Sequence, residues 1–337
     1  MVTSKCEIKV VFGSMTIGRP GDAIRTSTIR GAAKILDVFQ AHGHSEVDSA
    51  RVYGGGSTEE RLAEVDWQSR GLIMQTKLYP TKGKGMSWLT SEEYTLSPAD
   101  VRRGFEASMK ALNTDRVEMF YLHGPDRNTP LEETLSEINK LHQEGRFDRF
   151  GISYFASWEV AQICDIAEKN GWIKPSVYQG LYNTFNRSVE AELIPCLRHY
   201  GIALYACQPL AGGFLTSKYH REQTEYETNS RFDPSKPQGK LHHSRYMNER
   251  NLYALEDLLR PVIKKHGLTE AECGLRWAAH HSFMKKELGD GVIVGASSPK
   301  QLEDNLTDLE KGRLPDDVVE ALEEGWKHIS GTYKYFH

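Results

Sequence analysis

The chain has 337 residues, of which 39% are hydrophobic and 26% charged, an ordinary composition for a globular protein with a core of normal size. Its formal net charge is −4 and its Lys and Arg are scattered, which argues against a nucleic-acid surface. The five cysteines (Cys6, Cys164, Cys196, Cys207, Cys273) are widely spaced with no CxxC pair. Neither a disulfide framework nor a metal site is therefore expected, and a reducing, cytoplasmic setting fits best. The N-terminal stretch MVTSKCEIKVVFG lacks a signal-peptide core, and no run approaches the ~20 apolar residues of a membrane span. The closing Tyr335-Phe336-His337 matches no targeting signal.

Eight short apolar segments read as strands: residues 9–14, 45–49, 72–78, 117–122, 150–153, 177–181, 203–207 and 291–294. Runs such as Val10-Val11-Phe12 and Val292-Ile293-Val294 are apolar throughout, as in parallel strands covered on both faces. Between them lie helical patterns, with Val101, Phe105, Met109 and Leu112 on one face, then Leu131, Leu135, Ile138 and Leu141, and later Val319, Leu322 and Trp326. Ser97-Pro98, Thr129-Pro130 and Ser298-Pro299 each offer a hydroxyl N-cap followed by proline at the first helical position. Glu132 and Gln301 would complete capping boxes, and Ser57-Thr58-Glu59-Glu60 reads as another.

This alternation predicts a (β/α)8 TIM barrel, a single α/β domain over residues 1–337. A doubly wound sheet would normally show G-x-G-x-x-G after its first strand, where this chain has Gly13-Ser14-Met15-Thr16-Ile17-Gly18. Residues 79–97 and 212–248 break the rhythm. They read as long loops after strands 3 and 7, on the face where barrel active sites lie.

Asp48, Lys77 and His123 end three consecutive strands, and Tyr53 follows the first of them. In a barrel these positions converge. A phenol of pKa ~10 is a poor acid at neutral pH, and a nearby ammonium would lower it. The carboxylate would pair the ammonium, and the imidazole could orient a carbonyl. Taken singly, a lone Asp or Lys at a strand end is more often a structural ion pair, a lone His more often a core histidine, and Tyr53 reads as a surface aromatic; it is the joint pattern that points to chemistry.

Asp48-Ser49-Ala50-Arg51-Val52-Tyr53-Gly54, Thr76-Lys77 and Leu122-His123 together resemble the signature of the aldo-keto reductases. Further blocks extend the likeness over nearly the whole chain: Gly151-Ile152-Ser153, the run from Val177 to Asn183, Pro209-Leu210-Ala211-Gly212-Gly213, and the run from Gly291 to Ser298. The last two, with Pro195-Cys196-Leu197-Arg198-His199, are most similar to the aflatoxin-aldehyde reductase branch. The resemblance implies reduction of a small carbonyl substrate with NADPH. Tyr53 would act as general acid, tuned by Lys77 and Asp48, and His123 would orient the carbonyl. For the cofactor it implies Ser14 and Met15 beside the nicotinamide, with Asp48 near, and Ser153 and Gln179 on the carboxamide. Cys207 and Gln208 stand where the ring would stack. Pro209, Leu210 and Gly212 would line the pyrophosphate, with Lys218 and Arg231 closing over it. Gly295, Ser297, Lys300, Gln301 and Asn305 would hold the adenosine 2′-phosphate half. A helix start with free N–H groups independently suits that anion.

Two positions depart from the family pattern. Ser153 is followed by Tyr154 where Asn is usual, and Cys207 stands where an aromatic is usual. The lost amide bond and stacking face are each worth on the order of 1 kcal/mol. The chain ends in His337 where the branch commonly has Arg, so an acidic aldehyde is not the expected substrate. Tyr53, His123, Trp88, Tyr154, Arg245 and His337, with Met86, Tyr246 and Tyr335, are the expected substrate contacts and suit a flat or bulky carbonyl. Two alternatives remain at this point: proton transfer by the tetrad without net reduction, and a nicotinamide-binding regulatory subunit similar to potassium-channel β-subunits. Neither nucleic acid nor membrane is an expected partner, and a monomer or homodimer is expected.

Overall fold

The computed structural model describes residues 6–21, 23–228 and 230–337. The first five residues of the N-terminal stretch and Asn229 in the second long loop lie outside the described residues. Parallel strands β1 (Lys9–Gly13), β2 (Glu46–Asp48), β3 (Ile73–Leu78), β4 (Val117–Leu122), β5 (Phe147–Ser153), β6 (Val177–Leu181), β7 (Ala203–Cys207) and β8 (Gly291–Val294) form a closed barrel in chain order. Pairs from Lys9↔Gly291 to Phe12↔Val294 join its ends. The expected (β/α)8 barrel is borne out, with β5 starting earlier, at Phe147.

Alternate strand residues take opposite sides. Val10, Phe12, Phe120 and Leu122 join the core between strands and helices, whereas Val11, Met119, Tyr121, Tyr205 and Ile293 fill the barrel. At Gly151 a Cβ would come within 2.3 Å of the Tyr121 ring, so glycine leaves the room that ring occupies. Lower in the barrel, Glu46 accepts from Lys9 at 2.6 Å, Gln75 at 2.7 Å and Tyr205 at 3.0 Å, which satisfies a carboxylate that burial would otherwise penalise. The same alternation carries one step further up. Asp48 lies two residues beyond Glu46, Lys77 two beyond Gln75, Gln179 two beyond Val177, and Cys207 two beyond Tyr205. Period two therefore aims these side chains at the top of the barrel.

Helices α1 (Ile29–Ala41), α2 (Ser57–Glu64), α3 (Pro98–Leu112), α4 (Leu131–Gln143), α5 (Ser157–Asn170) and α6 (Leu193–Tyr200) alternate with the strands. As expected, Val101, Phe105, Met109 and Leu112 of α3 are buried. Ser97 Oγ accepts from Asp100 N–H at 3.3 Å and Ser298 Oγ from Gln301 N–H at 3.2 Å. Other caps differ. Pro130 itself precedes α4, and Thr129 Oγ1 donates to Asp126 Oδ2 at 2.8 Å. Ser57 is not a cap: Gly56 holds the N-cap position of α2, and the Ser57 hydroxyl donates to Gly54 O at 2.7 Å and accepts from Arg19 N–H at 3.0 Å.

The segment after β7 is not wholly loop. It contains α7 (Pro237–Tyr246), followed by α8 (Glu249–Leu252), a π-helical stretch Tyr253–Leu259, α9 (Arg260–His266) and α10 (Glu270–His280). The buried side of α7 is carried by Gln238, Gly239, His242 and Tyr246, so hydrophobic periodicity gives little sign of it. After β8 come α11 (Pro299–Leu309) and α12 (Asp316–Ile329). The buried face of α12 runs through Val318, Leu322, Gly325 and Ile329, rotated from the expected Val319 and Trp326, which are half-buried. Among the described residues no helix is long and apolar enough to cross a membrane.

Candidate active site

Tyr53 stands in the turn between β2 and α2. Gly54, Gly55 and Gly56 there take φ of 55°, 62° and 94°, a region that favours glycine. A Cβ on Gly56 would fall 1.5 Å from Arg51 Nη2. Arg51 Nη1 lies 2.6 Å from a carboxylate oxygen of buried Glu59, whose other oxygen accepts from Thr76 Oγ1 at 2.5 Å. Burial pushes the Glu59 carboxyl up, and Arg51 opposes that shift. The turn is thus tied to both α2 and β3, and Tyr53 is held over the barrel top.

Beside it Lys77 is fully buried. Its Nζ donates to Asp48 Oδ1 and to Ser49 O, both at 2.6 Å, and lies 4.9 Å from the Tyr53 ring centroid. Asp48 Oδ1 also accepts from Gln179 Nε2 at 2.8 Å, and Asp48 O accepts from Ser14 Oγ at 2.7 Å. The His123 ring meets Tyr53 edge-on, with centroids 5.7 Å apart. Burial, reinforced by Lys77, holds the His123 imidazole well below its usual range, so it is neutral at pH 7.

The electrostatics at Tyr53 differ from the sequence expectation. Its hydroxyl is held well above the ordinary tyrosine value, first by burial and then by Asp48 and Cys207, with Arg231 opposing. The Lys77 ammonium is turned to Asp48 and Ser49 O, so its charge is largely compensated before it reaches the phenol. The proton therefore stays on Tyr53 at neutral pH, the state a proton donor needs.

These groups open into a cavity of about 900 Å³ across the C-terminal ends of the strands. The aldo/keto reductase family profile matches residues 9–327. The chain belongs to the aldo/keto reductase family. Oxidoreduction of carbonyl groups is the general chemistry of that family. The chain is 47% identical to aldo-keto reductase pigE of Monascus ruber, over 100% of this chain and 99% of that one. It is 49% identical to an aldo-keto reductase of Pseudocercospora fijiensis, over 90% of this chain and all of that one. The expected kinship with the aflatoxin branch is borne out by 39% identity to mouse aflatoxin B1 aldehyde reductase member 2, over 95% of this chain and 85% of the relative.

In this aldo-keto reductase chain most of the singled-out residues line the cavity. They are Met15, Asp48, Tyr53, Trp88, His123, Tyr154, Gln179, Cys207, Gln208, Pro209, Leu210, Gly212, Lys218, Arg231, Arg245, Gly295, Ser297, Gln301 and His337. Others sit behind the wall. Ser14 and Lys77 hold Asp48, Ser153 is buried below, and Asn305 Nδ2 donates to Gly295 O at 3.5 Å. Lys300 points to solvent and pairs with Asp304. Gln301 does not close a box onto Ser298: its Oε1 accepts from both the N–H (2.8 Å) and the hydroxyl (2.7 Å) of Ser297. Lys218 pairs with Glu227 at 3.0 Å.

At the opposite end, His337 N–H donates to Tyr154 O at 3.1 Å and the two rings stack, with centroids 4.2 Å apart and planes 4° apart. Tyr154, at φ 61°, places its Oη 3.3 Å from Cys207 Sγ. Met86 lines the same region and Trp88 is 38% exposed, leaving much of its ring open to contact. Tyr246 is instead a core residue stacked on Phe214, and Tyr335 is buried with its Oη accepting from Ser157 N–H at 3.0 Å. Sequence reasoning missed Arg25, Tyr79, Leu89 and His242, which all line the cavity. Tyr79 follows directly on β3, so a strict reading of strand ends would have found it. Arg25, Leu89 and His242 carried no such signal.

Proposed function

We propose that this protein reduces an aldehyde or ketone to an alcohol with NADPH, Tyr53 giving the proton to the carbonyl oxygen. The observation that carries this reading is the grouping of Tyr53, His123 and Asp48 on the wall of one cavity, with Lys77 buried behind and paired to Asp48. The residues present fit a dinucleotide. Ser153 Oγ, Gln208 Oε1 and His123 Nδ1 are buried polar atoms without a hydrogen-bond partner among the described residues, and such atoms call for a polar ligand. Arg25 and Arg231 line the wall together with the Lys218–Glu227 ion pair, and Ser297, also in the wall, sits ahead of the α11 N-terminus.

When bound, the cofactor supplies the hydride. Ser153 and Gln179 would hold its carboxamide, Gly212 and Arg231 its diphosphate, and Ser297 and Gln301 its adenosine end. Neutral His123 donates a hydrogen bond to the substrate oxygen and orients it. Tyr53, protonated at neutral pH, then passes its proton to that oxygen as negative charge develops there. Lys77 and Asp48 keep the charge beside the resulting phenolate balanced until a proton returns. The aromatic wall of Tyr79, Trp88 and the Tyr154–His337 stack suits a flat carbonyl compound. The setting that fits is the cytoplasm.

Fluorescence titration with NADPH, followed by NADPH oxidation with 4-nitrobenzaldehyde, tests the reading. Micromolar binding and aldehyde-dependent oxidation are expected. Absence of NADPH binding would contradict it and favour proton transfer without reduction.

A further inference from the structure

We propose that His242 is a cofactor-binding residue whose Nε2 meets the bridging diphosphate beside Arg231 and takes up a proton as that anion enters. The inference rests on the dinucleotide reading above.

His242 lies on α7, is only 5% exposed, and lines the cavity. Its Nδ1 is 3.0 Å from Gln238 O one helical turn back. A carbonyl only accepts, so Nδ1 carries the hydrogen and Nε2 is the open end of the ring. Phe232 and Tyr246 pack against that ring at 5.7 and 6.5 Å, so it cannot swing freely. The open end faces the turn after β7. A Cβ placed on Gly212, whose φ is 70°, would stand 2.8 Å from His242 Nε2 and 3.5 Å from Gln208 Oε1. The open imidazole nitrogen and a partnerless amide oxygen, that of Gln208, thus flank the glycine backbone of the cavity wall.

The charged groups acting on His242 are Arg231 from the preceding loop and Arg245 from α7 itself, and Arg25 acts in turn on Arg231. The neutral neighbours are Gln238, Gln208, Phe232 and Tyr246. Burial first, then Arg231, pushes the imidazole down to about 4, so without ligand it is uncharged at pH 7. Cations gathered in one wall, with no carboxylate among the groups acting on this histidine, favour an anion. A diphosphate entering there offsets the field of both arginines and presents oxygens to Nε2. A neutral Nε2 would oppose a lone pair to those oxygens. A protonated one donates a charge-assisted hydrogen bond.

Carbon-13 NMR of histidine-labelled protein tests this, with the His242 resonance identified by its loss in His242→Gln. In free protein the ring should stay neutral down to about pH 5, since its value lies near 4. With saturating NADP⁺ it should titrate near neutrality. Adenosine 2′-monophosphate, which lacks the bridging diphosphate, should leave it neutral. His242→Gln should weaken NADP⁺ binding roughly tenfold at pH 6 and less at pH 8. The proposal is overturned if the ring stays neutral with NADP⁺ bound, or if adenosine 2′-monophosphate shifts it equally. NADP⁺ failing to bind the wild type would overturn the dinucleotide reading along with it.

Discussion

Lys77 Nζ lies 2.6 Å from Asp48 Oδ1 with both side chains withdrawn from water, and the Tyr53 ring centroid is 4.9 Å from that ammonium. The pair is a compensated unit. Lys77→Met would leave the Asp48 carboxylate buried with Gln179 as its remaining side-chain donor. Removing one partner of a buried pair costs about 3–5 kcal/mol, so urea unfolding should shift to markedly lower denaturant. Lys77→Met combined with Asp48→Leu should recover part of that loss. Unchanged stability in the single variant would show that the pair is not compensated as described.

The glycine turn should be as intolerant as the ion pair. Gly56→Ala puts a methyl into the Arg51 guanidinium at a φ of 94°. Arg51 must then move, loosening Glu59 and the turn that carries Tyr53. A stability loss of about 1–3 kcal/mol is expected, together with reduced turnover. Gly55→Ala has only Leu89 O at 3.4 Å before it and should lose less. Equal losses at the two positions, by thermal melts and steady-state rates, would argue against the Arg51 contact as the cause.

Tyr154 links Cys207 to the His337 ring across the cavity. Tyr154→Ala removes both contacts and the aromatic face. An aromatic pair is worth about 0.5–1.5 kcal/mol, so KM for an aryl aldehyde should rise roughly two- to tenfold. KM for a short aliphatic aldehyde should change little. If both rise equally, Tyr154 positions the cofactor and is no wall of the substrate site.

A titrating tether joins α1 to α11. His42 Nδ1 is 2.6 Å from Glu310 and Nε2 3.2 Å from Glu303. Burial lowers the imidazole value, but the hydrogen bonds to Glu310 and Glu303 outweigh it and the net shift is upward. The stabilisation is therefore complete below the unfolded value of about 6.5 and is lost as pH rises through the higher folded value. The melting-temperature gap between wild type and His42→Gln should be larger at pH 6 than at pH 9. A gap that widens with pH would reverse the assignment.

The barrel and the polar residues at its mouth were legible because both rest on period two. Apolar strands announce themselves, and Asp48, Lys77 and Cys207 inherit their direction from residues two positions earlier. Where polar groups carry the packing, the pattern fails. Gln238 and His242 form much of the inner side of α7, so a helix read as loop. The Tyr154–His337 stack joins the end of β5 to the last residue, a contact no local rule predicts. The tuning of Tyr53 was misjudged because the direction of the Lys77 ammonium, toward Asp48 and Ser49 O, is a three-dimensional fact.

Tyr53→Phe tests the central claim most directly. The variant keeps the ring against His123 and removes the hydroxyl that carries the proton. NADPH affinity by fluorescence titration should stay within about twofold of wild type, while kcat/KM for aldehyde reduction falls by roughly 100- to 10,000-fold. A variant that binds NADPH and reduces the aldehyde at the wild-type rate would contradict the account.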